Sequence, residues 1–159
     1  MTTKTKAKTK AKSIYDLGVK IKVSEVKGSI KGYEKMTSYE RAKALDALSV
    51  DRTLKKLYWG CKAKAVRDNK VFKITFKDLQ NAWKKQHGKC AVSKIDMQLN
   101  SGTRQEPNLY RVSVDRTINT RGYTAKNIKL VIWSVNQGKG SGGVNDYVNV
   151  CHHVSANHE

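Results

Sequence analysis

The stretch 113-SVDRTINTRGYTAKNIKLVIWSVNQGKG-140 sets Asp115 beside Arg116, adds a Gly122-Tyr123 turn and a lone Asn127, crosses the apolar run IKLVIW, and returns to polar residues at Asn136 and Lys139. Leu109, Arg111, Ser113 and Asp115 alternate with Tyr110, Val112 and Val114, which is the two-residue period of a strand. A glycine-containing loop then leads to a second strand at IKLVIW. Ser134 to Lys139 reads as a turn of helix, stopped by GKGSGG. In that strand–loop–strand–helix order, Asp115 and Asn136 converge on one point. One carboxylate and one amide carbonyl are hard oxygen donors that suit Mg²⁺, an ion that takes few protein ligands alongside substrate phosphate. Such an ion polarises a phosphoryl oxygen during phosphodiester hydrolysis. Arg111, Arg116, Arg121, Lys126 and Lys139 are the nearby candidates for phosphate contact, arginine offering a bidentate fork. Asn127 is suited to bonding backbone across the loop. Spacing alone leaves a plainer alternative open: a surface Asp-Arg pair, a turn asparagine and a helix-end asparagine.

The charge of the whole chain bears on that choice. Over 159 residues, 32 Lys+Arg face 13 Asp+Glu, a formal net charge of +19. Self-repulsion of that size favours a polyanionic partner, and nucleic acid is the first candidate. An anionic membrane is the competitor. No apolar run approaches the ~20 residues of a spanning helix, and no lipidation motif is present. No apolar segment follows the basic N-terminus as in a signal peptide, which gives a cytoplasmic expectation. Cys61, Cys90 and Cys151 are odd in number and widely spaced, which fits reduced thiols better than a disulfide framework.

Upstream, MTTKTKAKTKAKS carries five lysines and no acid, a disordered basic arm over 1–13. Residues 14–58 form an extension, with a short strand-like alternation at Val19, Ile21 and Val23. Thr37 with Glu40 starts one helix, and Asp51 is placed to cap a second. The second helix has Leu54, Leu57, Tyr58 and Cys61 inward and Lys55, Lys56, Lys62, Lys64 and Arg67 outward. That cationic face reads equally as solvated or as a phosphate-tracking face. KVFKIT (70–75) alternates as a strand, Thr75 and Asp78 open a further helix, and Gly88 is placed as its left-handed end residue. CAVSKIDMQL (90–99) is strand-like, and the chain closes on a helix with Val144, Tyr147, Val148, Cys151 and Val154 at helical spacing. Trp59, Trp83 and Trp133 are assigned to the core.

Taken in order, Ser113-Val114-Asp115-Arg116-Thr117-Ile118, then Gly122-Tyr123-Thr124-Ala125-Lys126-Asn127, then IKLVIW, then Val135-Asn136-Gln137-Gly138-Lys139 resemble the HNH nuclease family. The resemblance is to its phage-type branch, with the pattern Ser-x-Asp-Arg, Gly-Tyr-x-x-x-Asn and Val-Asn-x-x-Lys. It extends upstream through ITFKDLQNAWKKQHGKCAVSKIDM and downstream to YVNVCHHVSA, covering about Lys62 to Ala156. It implies an α+β fold with a ββα-metal core and surrounding helices, in an HNH-like nuclease domain over 59–159. Its function would be a metal-dependent endonuclease cleaving DNA, phage-encoded and acting in the host cytoplasm. Carried over by position, Asp115 and Asn136 become ligands of Mg²⁺ or Mn²⁺, Asn127 braces the loop, and Lys139 contacts phosphate or supports the helix end. Cys90-Ala91-Val92-Ser93 stands where zinc-stapled relatives have Cys-x-x-Cys, so no zinc is expected.

The wider family places a histidine after the aspartate as general base, and here that residue is Arg116. A guanidinium with a pKa above ~12 does not fill that role. Arg116 would instead hold the phosphate or stabilise transition-state charge, or another side chain, His87 or Tyr110, would supply the base. The remaining reading is a basic DNA-binding protein of architectural type that keeps the fold without the chemistry.

Overall fold

The computed structural model describes residues 29–100, 102–103 and 105–158; the basic arm and the alternation at 19–23 lie outside the described residues. The described chain is α+β, with four α-helices and one two-stranded antiparallel sheet. It divides into two compact units, Met1–Ser49 and Val50–Glu159.

In the first unit a 3-10 turn, Tyr33–Lys35, precedes α1, Ser38–Arg67. The Thr37–Glu40 box forms as the sequence implies: the Thr37 amide and hydroxyl each donate to Glu40 Oε2 at 2.8 Å, and the Glu40 amide returns a bond to Thr37 Oγ1 at 3.3 Å. The backbone bond from Thr37, with its hydroxyl second, holds the Glu40 carboxyl below its ordinary range.

The helix then departs from the sequence reading, because α1 runs unbroken through Asp51. No glycine or proline interrupts LDALSVDRTLKKL, and the Ser49 hydroxyl donates back to Leu45 O at 2.9 Å, satisfied within the helix. Asp51 accepts instead from Gln80 Nε2 at 2.8 Å.

In the second unit the rest of α1 buries Leu54, Cys61 and Ala65. Burial pushes the Cys61 thiol up to about 11. The helix closes on Asn69 in a left-handed conformation (φ 46°), with Lys70 N donating to Ala65 O and Asn69 N to Val66 O. Those two bonds are the Schellman arrangement.

The strand expected at 70–75 shrinks to one parallel bridge, Phe72 with Tyr123. Tyr123 N donates to Val71 O and Lys73 N to Tyr123 O, both at 2.8 Å, and the Thr75 cap then turns the chain into α2, Phe76–Lys85. Gly122 is required at this bridge, since a Cβ there would lie 2.1 Å from Val71 O. α2 carries the full Thr75–Asp78 capping box and buries Leu79. Its left-handed end residue is His87 (φ 53°), followed by Gly88 (φ 71°), so the closing position falls one residue earlier than the sequence suggests. Between Cys90 and Leu99 the expected strand is a series of turns with two isolated bridges, Lys89 to Asp96 and Gln98 to Arg111.

The hairpin follows: β1, Val112–Arg116, and β2, Ile128–Ile132, with Val114 opposite Leu130 and Asp115 opposite Lys129. Leu130, Val131 and Ile132 are buried, and with Leu54, Leu79, Cys90, Met97, Val112 and Val135 they form the core. α3, Trp133–Lys139, leaves β2 directly. α4, Val144–Ala156, packs with its first half only: Tyr147 and Val148 are half-buried, whereas Cys151 and Val154 are exposed. No helix among the described residues is long and apolar enough to cross a membrane.

Candidate active site

Asp115 is the penultimate residue of β1 and is 3% exposed, so this strand does not follow simple apolar-polar alternation. A carboxylate removed from water needs compensation. Two lysines supply charge: Lys139 Nζ stands 3.1 Å from Oδ1 and Lys129 Nζ stands 3.7 Å from Oδ2. Lys139 is itself buried, at 7% exposed, and also donates to Gly140 O at 3.4 Å. Oδ2 nevertheless has no hydrogen-bond partner.

Asn136 projects from α3 toward β1. Its Nδ2 donates to Ser113 Oγ at 2.8 Å and to Val114 O at 3.3 Å. No donor among the described residues is bound to its Oδ1. Asp115 and Asn136 line one cleft of about 310 Å³ together with Lys64, Arg116, Asn119, Tyr123 and Gln137.

Arg116 ends β1 with its guanidinium carbon 5.1 Å from the centre of the Tyr123 ring, and Nη1 donates to Arg121 O at 3.4 Å. The ring face attracts the cation and orients it beside the cleft. Burial pushes the Tyr123 phenol upward, and the neighbouring Cys61 adds to the rise.

Asn127 sits behind the cleft, buried, and uses its whole carboxamide on the loop: Nδ2 donates to Ile118 O (3.1 Å) and Gly122 O (2.8 Å), while Oδ1 accepts from Ile118 N (2.9 Å). Three bonds across five residues of loop hold the end of β1 and the Tyr123 bridge in register.

The other site residues read from the sequence scatter. Lys64 lines the Asp115 cleft. Lys62 is exposed on α1 with Nζ 5.2 Å from the Trp59 ring centre, and Arg67 pairs with Asp68 at 2.8 Å. Arg121 and Lys126 are exposed on the β1–β2 loop. Arg111 stacks on Trp133, its guanidinium carbon 4.0 Å from the ring centre, and burial lowers its pKa. Lys139, read from the sequence as contacting phosphate or supporting the helix end, is buried, pairs with the Asp115 carboxylate and bonds Gly140 O at the end of α3. His87 and Tyr110, the candidate bases, do not line the Asp115 cleft; each belongs to a different cleft. Trp59 is 53% exposed and is not a core residue, because α1 turns it outward beside Lys62.

Sequence reasoning missed Lys129 and Tyr123. Both follow from the hairpin: the register sets Lys129 across from Asp115, and the Phe72 bridge fixes the Tyr123 ring under Arg116. The cross-strand pairing rule would have found Lys129 once the register was known.

A buried carboxylate oxygen that accepts no hydrogen bond and an amide oxygen that accepts none are hard oxygens on two residues lining one cleft, which suits Mg²⁺ or Mn²⁺. Among the described residues no three His, Cys, Asp or Glu side chains gather, so any remaining ligands would be water or substrate.

The chain is similar in fold to the rare-cutting HNH restriction endonuclease PacI. The TM-score is 0.50 at 13% sequence identity, over 65% of this chain and 77% of that one. No family model matches the chain, and no curated protein matches it. At that identity the likeness concerns the fold alone, and chemistry has to be argued from the cleft.

Proposed function

We propose that the protein is a metal-dependent endonuclease of HNH type, with β1, β2 and α3 serving as a ββα-metal core. It would hydrolyse DNA phosphodiester bonds at the Asp115 cleft. The observation that carries this reading is a carboxylate withdrawn from water at a cleft: Asp115 is 3% exposed, its Oδ2 accepts no hydrogen bond, and the residue lines the same cleft as Asn136. Structural carboxylates are normally satisfied, and an orphan in a cleft marks a site waiting for a ligand. The likeness to an HNH restriction endonuclease and the +19 charge support the same reading.

In this reading Asp115 and Asn136 hold Mg²⁺ or Mn²⁺, which when bound supplies Lewis-acid stabilisation of the phosphoryl group. Arg116, oriented by Tyr123 and the Arg121 carbonyl, contacts phosphate and stabilises charge that develops on it. Lys64 adds a second cation at the cleft mouth. Asn127 acts through the loop shape and touches no substrate. In the same reading the exposed cations Arg121, Lys126, Lys62 and Arg67 would meet backbone phosphates further along the duplex.

A non-catalytic DNA-binding role is the competing reading. The observation that favours it is Arg116 in the position of a base, with no histidine among the residues lining the cleft. Incubation of supercoiled plasmid with wild type, Asp115→Ala and Asn136→Ala in Mg²⁺, Mn²⁺ or EDTA separates the two. Metal-dependent nicking lost in both variants supports the nuclease; binding without nicking in any metal establishes the non-catalytic role. Gain of activity in Arg116→His would show that the arginine leaves the site without its base.

A further inference from the structure

We propose that the Asp115 cleft accepts a divalent cation only together with a phosphodiester, so that metal and nucleic acid assemble the site cooperatively. The inference rests on the nuclease reading and concerns how that site is loaded.

The charges around the cleft carry it. Asp115 is the sole acid among the side chains lining the cleft, whereas Lys64 and Arg116 line it as cations. Two further ammoniums already lie on the carboxylate, Lys139 at 3.1 Å and Lys129 at 3.7 Å. Two ammoniums therefore pair with the carboxylate and two further cations line its cleft. Lys139 is the decisive one: its side chain is 3% exposed, so solvent screens it little and it has no open water to swing into. A divalent ion approaching the free protein meets a net positive site whose single anion is already neutralised.

A phosphodiester reverses that balance. Its oxygens supply both negative charge and additional hard ligands, and Arg116 and Lys64 are positioned to hold them. The site then has the ligand count that the chain's own residues lack. Linkage makes the effect reciprocal: DNA raises the affinity for metal by the factor by which metal raises the affinity for DNA. The arrangement also keeps the cleft unloaded until nucleic acid occupies it.

The test is Mn²⁺ binding, read calorimetrically, to the protein alone and to the protein saturated with a DNA duplex. Ions held by the DNA itself are subtracted using the Asp115→Asn complex. The expected result is at least about tenfold tighter binding in the wild-type complex than in the free protein. Lys139→Met without DNA should bind Mn²⁺ at least about tenfold more tightly than free wild type, since it removes the buried ammonium. Lys129→Gln, at a partly exposed position where folding is not at stake, should shift in the same direction by less.

Equal Mn²⁺ affinity for the free protein and the complex overturns cooperative loading and leaves the nuclease reading intact. So does unchanged binding in both lysine variants. Absence of Asp115-dependent Mn²⁺ in the complex, joined to absence of metal-dependent nicking, removes the nuclease reading itself.

Discussion

Two side-chain carboxamides dock onto opposite strands of the same hairpin, and they are used differently. Gln86, just past α2, grips β2: Nε2 donates to Leu130 O at 2.7 Å and Oε1 accepts from Leu130 N at 3.0 Å. It thereby mimics a neighbouring strand, with its oxygen and its nitrogen both bonded to backbone. Asn136, in α3, grips β1 with its nitrogen alone, its oxygen accepts no bond, and the residue lines the cleft that Asp115 lines. The carboxylates repeat the contrast. Asp78 accepts two bonds from Thr75 and closes a cap, while Asp115 keeps a buried oxygen that accepts no hydrogen bond. A saturated polar group holds the fold; an unsaturated one facing a cleft is available for chemistry.

Four substitutions would break or sharpen that contrast. Asp115→Ala is the largest: metal-dependent nicking of plasmid should fall at least about a hundredfold, since loss of a ligand should cost no less than loss of the group that orients it. Urea unfolding should show a loss of about 3–5 kcal/mol, since the buried Lys139 ammonium is left unpaired, so nicking is compared for the folded fraction as judged by circular dichroism. Asn136→Ala should reduce nicking about 10–100-fold, with a smaller loss of stability from the bonds to Ser113 and Val114.

Gln86→Ala should act the other way round. It strands the Leu130 amide, while the Leu130 carbonyl keeps its bond from Ala91 N, so urea unfolding should show a loss of about 1–3 kcal/mol. The nicking rate of the folded fraction should be unchanged. Thr75→Ala removes the α2 cap and should lower stability by about 1 kcal/mol in the same assay, again without effect on rate. A nicking defect in Gln86→Ala comparable to that of Asn136→Ala would dissolve the distinction.

What could be read from the sequence was what local chemistry decides. The Thr75–Asp78 box, the hairpin between Val112 and Ile132, and the helix carrying Asn136 are written in residue spacing over a few positions. The meeting of Asp115 and Asn136 at one cleft follows from that order of elements. Packing over longer range was not legible. Asp51 has the chemistry of an N-cap, but an uninterrupted run of helix formers carries α1 past it. KVFKIT has strand alternation, yet it finds one backbone neighbour, at Tyr123, before Thr75 caps the next helix. Lys139 looks like any cation in a chain rich in them. Its burial depends on α3 folding back on β1, and composition carries no sign of that.

The same limit explains Lys129 and Trp59. A strand residue's cross-strand partner depends on register, and the exposure of an indole depends on which face of α1 the core claims.

The proposed metal-dependent nuclease site lies on the side of the hairpin that carries Asp115 and Asn136. Nicking of supercoiled plasmid by the wild-type protein in Mg²⁺, with a parallel reaction in EDTA, tests it most directly. The account predicts conversion to open-circular or linear DNA in Mg²⁺ and none in EDTA. Plasmid that is bound yet remains supercoiled in Mg²⁺ and in Mn²⁺ would contradict it.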